Sequence, residues 1–169
     1  MSHSRIYHFE YDKNNYIERY ENTIFEETQH FADYVEEVAI DEDETEWLLQ
    51  NLICIFGDEN IIHNDNGSLV TIKKEGALEY FKRLRANLYV TIGSVMDKPI
   101  EEFIDINLNH TSWWQIKEQI DSHYEAHFFI DDESIKTPTQ FAENILLHCK
   151  IKNTDSVTLK LKQIFDFHF

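Results

Sequence analysis

Three features of the sequence predict an α+β fold dominated by helices, with a small antiparallel sheet made of the terminal strands and a central hairpin. Apolar residues recur at helical spacing through most of the chain. Aromatic or alternating segments stand near both ends, and an Asn-Gly pair separates two β-patterned runs near the middle. Four Gly and two Pro are few, which favours long regular elements over a loop-rich sandwich. At 169 residues the chain reads as one domain, 1–169, long enough to bury about two thirds of its unfolded surface. No repeat period and no low-complexity linker divides it.

In chain order, the aromatic-rich IYHFEY (6–11) predicts a first strand. Ile17, Ile24, Phe31 and Val38 then recur every seven residues, with Tyr20, Thr28 and Val35 on the same face, and predict a helix from near Asn14 to Ala39. A second helix is expected to start inside DEDETE (41–46), with Asp43 as N-cap, Glu46 three residues on as in a capping box, and Gly57 as the stop. Trp47, Leu48, Leu52, Ile55 and Phe56 form its apolar face. ENIIHNDNGSLVTI reads as a hairpin, because Asn66-Gly67 suits a type I′ turn.

A helix from about Lys74 follows, with Leu78, Phe81, Leu84 and Leu88 at helical spacing; its end lies somewhere in the β-branched VTIGSV. Asp97-Lys98-Pro99 opens a short helical segment, IEEFIDI, and Ser112 with Gln115 marks another helix start ahead of WWQIKEQIDSHYEA. HFFID (127–131) predicts a strand. Thr137-Pro138-Thr139-Gln140 is the clearest start signal, with a cap, Pro at the first helical position and Gln at the third, before FAENILLHC. In SVTLKLKQIF, Val157, Leu159 and Leu161 alternate with Thr158, Lys160 and Lys162, the pattern of a strand solvated on one face.

Composition excludes several function classes. The two cysteines, Cys54 and Cys149, lie in apolar runs and read as free thiols; there is no disulfide framework, no CxxC and no signal-peptide segment in MSHSRIYHFEYD. No stretch approaches the ~20 apolar residues of a membrane span. A reducing cytoplasm is the expected compartment. The formal net charge of −17 repels phosphate backbones and anionic lipid surfaces, so direct nucleic-acid or membrane binding is not expected, whereas a basic protein would be attracted.

That charge is unevenly placed. Residues 1–60 hold 16 acids and 3 bases, while residues 61–100 hold 4 acids and 6 bases. Carboxylates in the first turn of a helix meet the positive end of its dipole, which accounts for Asp43, Glu44 and Glu46 without any partner. It does not account for Asp41 and Glu42 ahead of the expected cap, nor for Glu36 and Glu37 at the expected C-terminus of the preceding helix. Asp33, Glu36, Glu37, Asp41, Glu42, Asp43, Glu44 and Glu46 are therefore the candidate partner-binding residues.

Chemical signatures are weak. His123 and His127 in HYEAH would share a face on one helix and offer two ligands to a metal. The H-E-x-x-H order is absent, however, and the apolar HFFI suggests that the helix ends before His127, so an ordinary pair of surface and packing histidines is expected. Adjacent His148 and Cys149 point about 100° apart on a helix, unsuited to a base and nucleophile. No Gly-rich phosphate loop, dinucleotide fingerprint or G-x-S-x-G elbow occurs, so no cofactor is expected. Lys73, Lys74, Lys82, Arg83 and Arg85 form the one basic cluster and suggest an intramolecular or dimer contact with an acidic face. For either of Trp113 and Trp114 core packing is the expected reading; the alternative lays one indole in the core and the other at the surface, where it would serve an interface.

In composition alone the chain resembles bacterial immunity proteins that neutralise basic nuclease toxins and, less closely, phage anti-restriction proteins that imitate DNA. No motif carries either resemblance, so no residue role is transferred. The expected function is that of a non-enzymatic, acidic, protein-binding inhibitor. The alternatives are a DNA mimic acting on a restriction or CRISPR enzyme, and a metal-dependent hydrolase using His123 and His127.

Overall fold

A computed structural model describes residues 4–11, 28, 32, 34–103, 116, 126–130 and 134–168. The order of elements is β1 (Ser4–Tyr11), β2 (Tyr34–Val38), α1 (Glu42–Phe56), a 3-10 turn (Asp58–Asn60), β3 (Ile61–His63), β4 (Leu69–Lys73), α2 (Lys74–Met96), α3 (Ile100–Phe103), β5 (Ala126–Ile130), α4 (Pro138–Lys152) and β6 (Ser156–His168). The class is α+β, as expected. The terminal strands and the hairpin share one sheet, which also takes in β2 and β5.

The long strand β6 organises that sheet. The order is β3–β4–β6–β1–β5, and β2 also pairs with β6. One edge of β6 takes β4 along Ser156–Lys160 and then β2 along Ile164–His168, so those two strands lie end to end. The opposite edge takes β1 antiparallel, with a register shift between His8 and Phe9, and β1 pairs with β5 in parallel. The alternation expected for the last strand holds in its first half. Val157, Leu159 and Leu161 are buried, and Thr158 bonds Thr71 across the strands at 2.9 Å. Beyond the bulge both faces are covered: Ile164 lies in the main core, and Phe165 and Phe167 are fully buried on the other side.

The main core lies between the sheet and α1, α2 and α4. Leu48, Leu52 and Phe56 come from α1, Ala77 and Tyr80 from α2, and Phe141, Ala142, Ile145 and Cys149 from α4. Phe141 stacks on Phe128 with ring centroids 4.2 Å apart and on Phe9 at 6.1 Å. On the far face Ile6, Phe129, Phe165 and Phe167 form a smaller cluster with Ala32, Val35 and Ile135 packed against it.

Local signals explain most boundaries. Thr137 accepts from the Gln140 amide while the Gln140 side chain accepts from the Thr137 amide, the reciprocal cap predicted for α4. Gly57 ends α1 at φ 84°, a conformation open to glycine. α2 runs through the β-branched stretch to Met96.

Three expectations are corrected. Residues 34–38 form β2, so the helix expected over 14–39 does not extend through its C-terminal part; most of its remainder lies outside the described residues. The second half of β6 presents an edge that YVEEV, rich in strand-forming residues, fills. The N-cap of α1 is Asp41 rather than Asp43: its carboxylate accepts from the Glu44 amide at 2.9 Å, and its carbonyl accepts from the Thr45 hydroxyl. The hairpin is closed by five residues rather than by a two-residue type I′ turn. Gly67 has φ 65° but Asn66 does not have positive φ, and the Asn64 and Asn66 side chains accept from the Leu69 and Ser68 amides. The helix expected over 113–126 and both Trp113 and Trp114 fall outside the described residues, apart from residues 116 and 126.

Candidate functional site

The site is built where β1, β2 and β6 meet the start of α1. Strand pairing sets Glu36, Asp166 and Arg5 in one row across β2, β6 and β1, because Asp166 faces Glu36 on one side and Arg5 on the other. Partners in register share a sheet face. This face is the one α1 covers.

Arg5 is the hinge of the arrangement. Its side chain, only 13% exposed, donates from Nε and Nη2 to the Glu44 carboxylate at 2.9 and 2.6 Å, and from Nη1 to Asp166. The guanidinium also lies 4.9 Å from the centre of the Trp47 ring. Hydrogen bonding to Glu44 outweighs the cost of burial, and the Arg5 pKa is raised further above its ordinary value. One cation thus serves two partly buried carboxylates from α1 and β6, and fixes the helix start to the sheet.

Beside it, the Tyr7 ring is fully buried, and its hydroxyl makes no hydrogen bond of normal geometry. The Asn51 side-chain amide donates to the Trp47 carbonyl at 2.9 Å. Burial pushes the Tyr7 hydroxyl well above the ordinary phenol range, and Asn51 offsets only part of that rise.

The eight predicted residues do not act as one surface. Glu44 is consumed by Arg5, and Asp41 caps α1. Glu37 follows Glu36 on an extended strand, so it points to the opposite sheet face, where it accepts from Gln163 at 3.4 Å. Because 34–38 is a strand, no helix dipole opposes Glu36 and Glu37. Asp33 lies outside the described residues. What remains is Glu36 on β2, and Glu42, Asp43 and Glu46 on the first turns of α1. All four are exposed, and none has an ion pair among the described residues.

The sequence did not identify Arg5, Trp47 or Asp166 as parts of this site. Arg5 and Asp166 are 161 residues apart, so no local pattern marks the pair.

The other candidates for chemistry are not assembled among the described residues. His127 lies on β5, in keeping with the strand expected over 127–131, and His123 is outside the described residues. Among the described residues, no group of three or more His, Cys, Asp or Glu is placed to hold a metal ion. His148 stacks on Tyr11 at 4.5 Å between centroids, and Cys149 is buried, with burial raising its thiol pKa, the reverse of what a nucleophilic thiolate needs. The basic cluster is largely spent on local contacts. Lys73 donates to the Glu59 carbonyl, Lys82 pairs with Glu79 and Glu75, and Arg83 donates to the carbonyls of Cys54 and Ile55 at the end of α1. Among the described residues, no helix is long and apolar enough to cross a membrane. No family model, curated protein or solved structure matches this chain.

Proposed function

We propose that the protein binds and occludes a cationic surface on another protein, most concretely as an immunity protein that blocks the phosphate-binding face of a basic nuclease toxin. One observation carries this reading. Arg5 is engaged by Glu44 and Asp166, while Glu36 on β2 and Glu42, Asp43 and Glu46 in the first turns of α1 are exposed and have no ion pair among the described residues. Glu42 and Glu46 are like charges four apart on a helix, which costs about 0.2–0.5 kcal/mol in isolation. The carboxylates would replace the phosphates of the toxin's substrate, steer its approach and fix its orientation. Half-buried Trp47, beside the cluster, offers an aromatic anchor.

The test uses a panel of cationic nuclease domains and surface plasmon resonance. For a partner that binds, the association rate falls steeply as salt rises. The variant Glu42→Gln/Asp43→Asn/Glu46→Gln associates at least about tenfold more slowly, with a smaller change in dissociation rate. An association rate indifferent to salt and to the three substitutions refutes the reading.

A further inference from the structure

The outward side of α2 carries a second surface, different in kind. Leu78, Lys82, Arg85, Tyr89, Ile92 and Met96 follow one another at alternating spacings of four and three residues, the repeat that keeps side chains on the seam between two packed helices. All six are exposed, Tyr89 at 82% and Met96 at 63%. The residues that α2 gives to its own core, Ala77, Tyr80, Phe81, Leu84 and Val95, lie about a third of a turn round the helix. Exposed apolar residues scattered singly are ordinary; four of them, with the stems of Lys82 and Arg85 between, in one heptad register on a helix that already buries another side are not.

We propose that this stripe is a homodimer seam, in which α2 packs antiparallel against α2 of a second copy. The order of side chains is complementary to its own reverse. A two-fold axis through the seam at the level of residue 87 sets Leu78 level with Met96, Lys82 with Ile92, and Arg85 with Tyr89 of the second copy. Arg85 has no ion pair among the described residues, so its guanidinium is available to stack on a phenol ring. The Lys82 ammonium is held by Glu79 and Glu75, which leaves its methylene stem to cover Ile92. Leu78 lines a hollow of about 470 Å³ with Ile62, Lys73 and Lys74, and reversed pairing brings the flexible thioether of Met96 to that end.

Parallel pairing fails on the same residues. It opposes Lys82 to Lys82 and Arg85 to Arg85, and leaves both hollows unfilled. Net charge favours this face as well. The whole chain is strongly acidic, but α2 carries four bases and two acids, so two copies meet where mutual repulsion is weakest.

Sedimentation velocity on the full chain over a wide concentration range tests the seam. The expected result is a reversible dimer, with Tyr89→Glu/Ile92→Glu weakening association at least about a hundredfold while circular dichroism, and the Tm measured at concentrations where the parent is monomeric, stay unchanged, since both side chains are exposed. Orientation is read by cysteine cross-linking with copper–phenanthroline as oxidant, in a Cys54→Ser background that removes the exposed native thiol. Ala86 flanks the seam beside the two-fold axis, so Ala86→Cys forms a disulfide dimer, whereas Val90→Cys, on the outer side of the helix, does not. A monomer at every concentration, a dimer indifferent to the double substitution, or cross-linking at residue 90 rather than 86 overturns the proposal.

Discussion

The start of α1 and the first half of α2 handle charge in opposite ways. On α2 two of the four cations find partners for their side chains within the chain: Lys82 holds two carboxylates of its own helix, and Arg83 closes the carbonyl end of α1. Around the start of α1, by contrast, one guanidinium is divided between Glu44 and Asp166, and four further carboxylates face solvent. The fold therefore neutralises most of the charges it buries or half-buries and leaves a local excess of one sign. Such an excess bears on association more than on folding.

The largest expected effect breaks the used half of the acidic site. Arg5→Met leaves Glu44 and Asp166 partly buried without their cation, and is expected to cost about 2–4 kcal/mol, read from the urea midpoint. Adding Glu44→Gln to Arg5→Met should recover part of that loss. If Arg5→Met is silent, the division between used and unused carboxylates is wrong.

Next in size is the contact that seats α1 against the hairpin. Gly67 has φ 65°, and a Cβ there would lie 2.1 Å from Thr45 Cγ2, so Gly67→Ala is expected to cost about 1–3 kcal/mol in thermal or urea unfolding.

A smaller, pH-dependent effect comes from Tyr7. Its folded pKa is raised by burial above the ordinary 10.0, so the folded state keeps a proton that the unfolded chain releases. Stability from this group is full below about pH 10 and falls above it, by up to about 1.4 kcal/mol per pH unit, until the folded pKa is passed. Cys149, also raised by burial, acts in the same direction from its ordinary 9.0 upward. Tyr7→Phe should unfold within about 1 kcal/mol of the parent at neutral pH and lose less stability above pH 10. An unchanged alkaline profile contradicts the burial assigned to the hydroxyl.

How far the sequence reveals this molecule depends on how local each signal is. The cap and proline at Thr137–Gln140 specify α4 because every atom involved lies within one turn. Alternation in SVTLKLK specifies the first half of β6, but burial on both faces erases it beyond the bulge. β2 was hidden because Val35 and Val38 suit a helical period as well as a strand, and the choice is made by the open edge of β6, more than a hundred residues away. Asp41 and Asp43 are each followed three residues later by a glutamate, so spacing alone does not choose the cap. Thr45 decides it, by bonding the Asp41 carbonyl and packing against Gly67. The candidate site was half legible: its acidity is plain in DEDETE, but the residue that removes Glu44 from the exposed set sits on β1.

The most direct measurement is the stability of Glu42→Gln/Asp43→Asn/Glu46→Gln beside its parent, by urea unfolding at low and high salt. If these carboxylates are surplus to the fold, lost helix-dipole attraction and relieved repulsion nearly cancel. The two proteins then unfold within about 0.5 kcal/mol of each other at low salt and closer still at high salt. A loss of about 2 kcal/mol or more would show that the fold itself uses these charges, and would contradict the account.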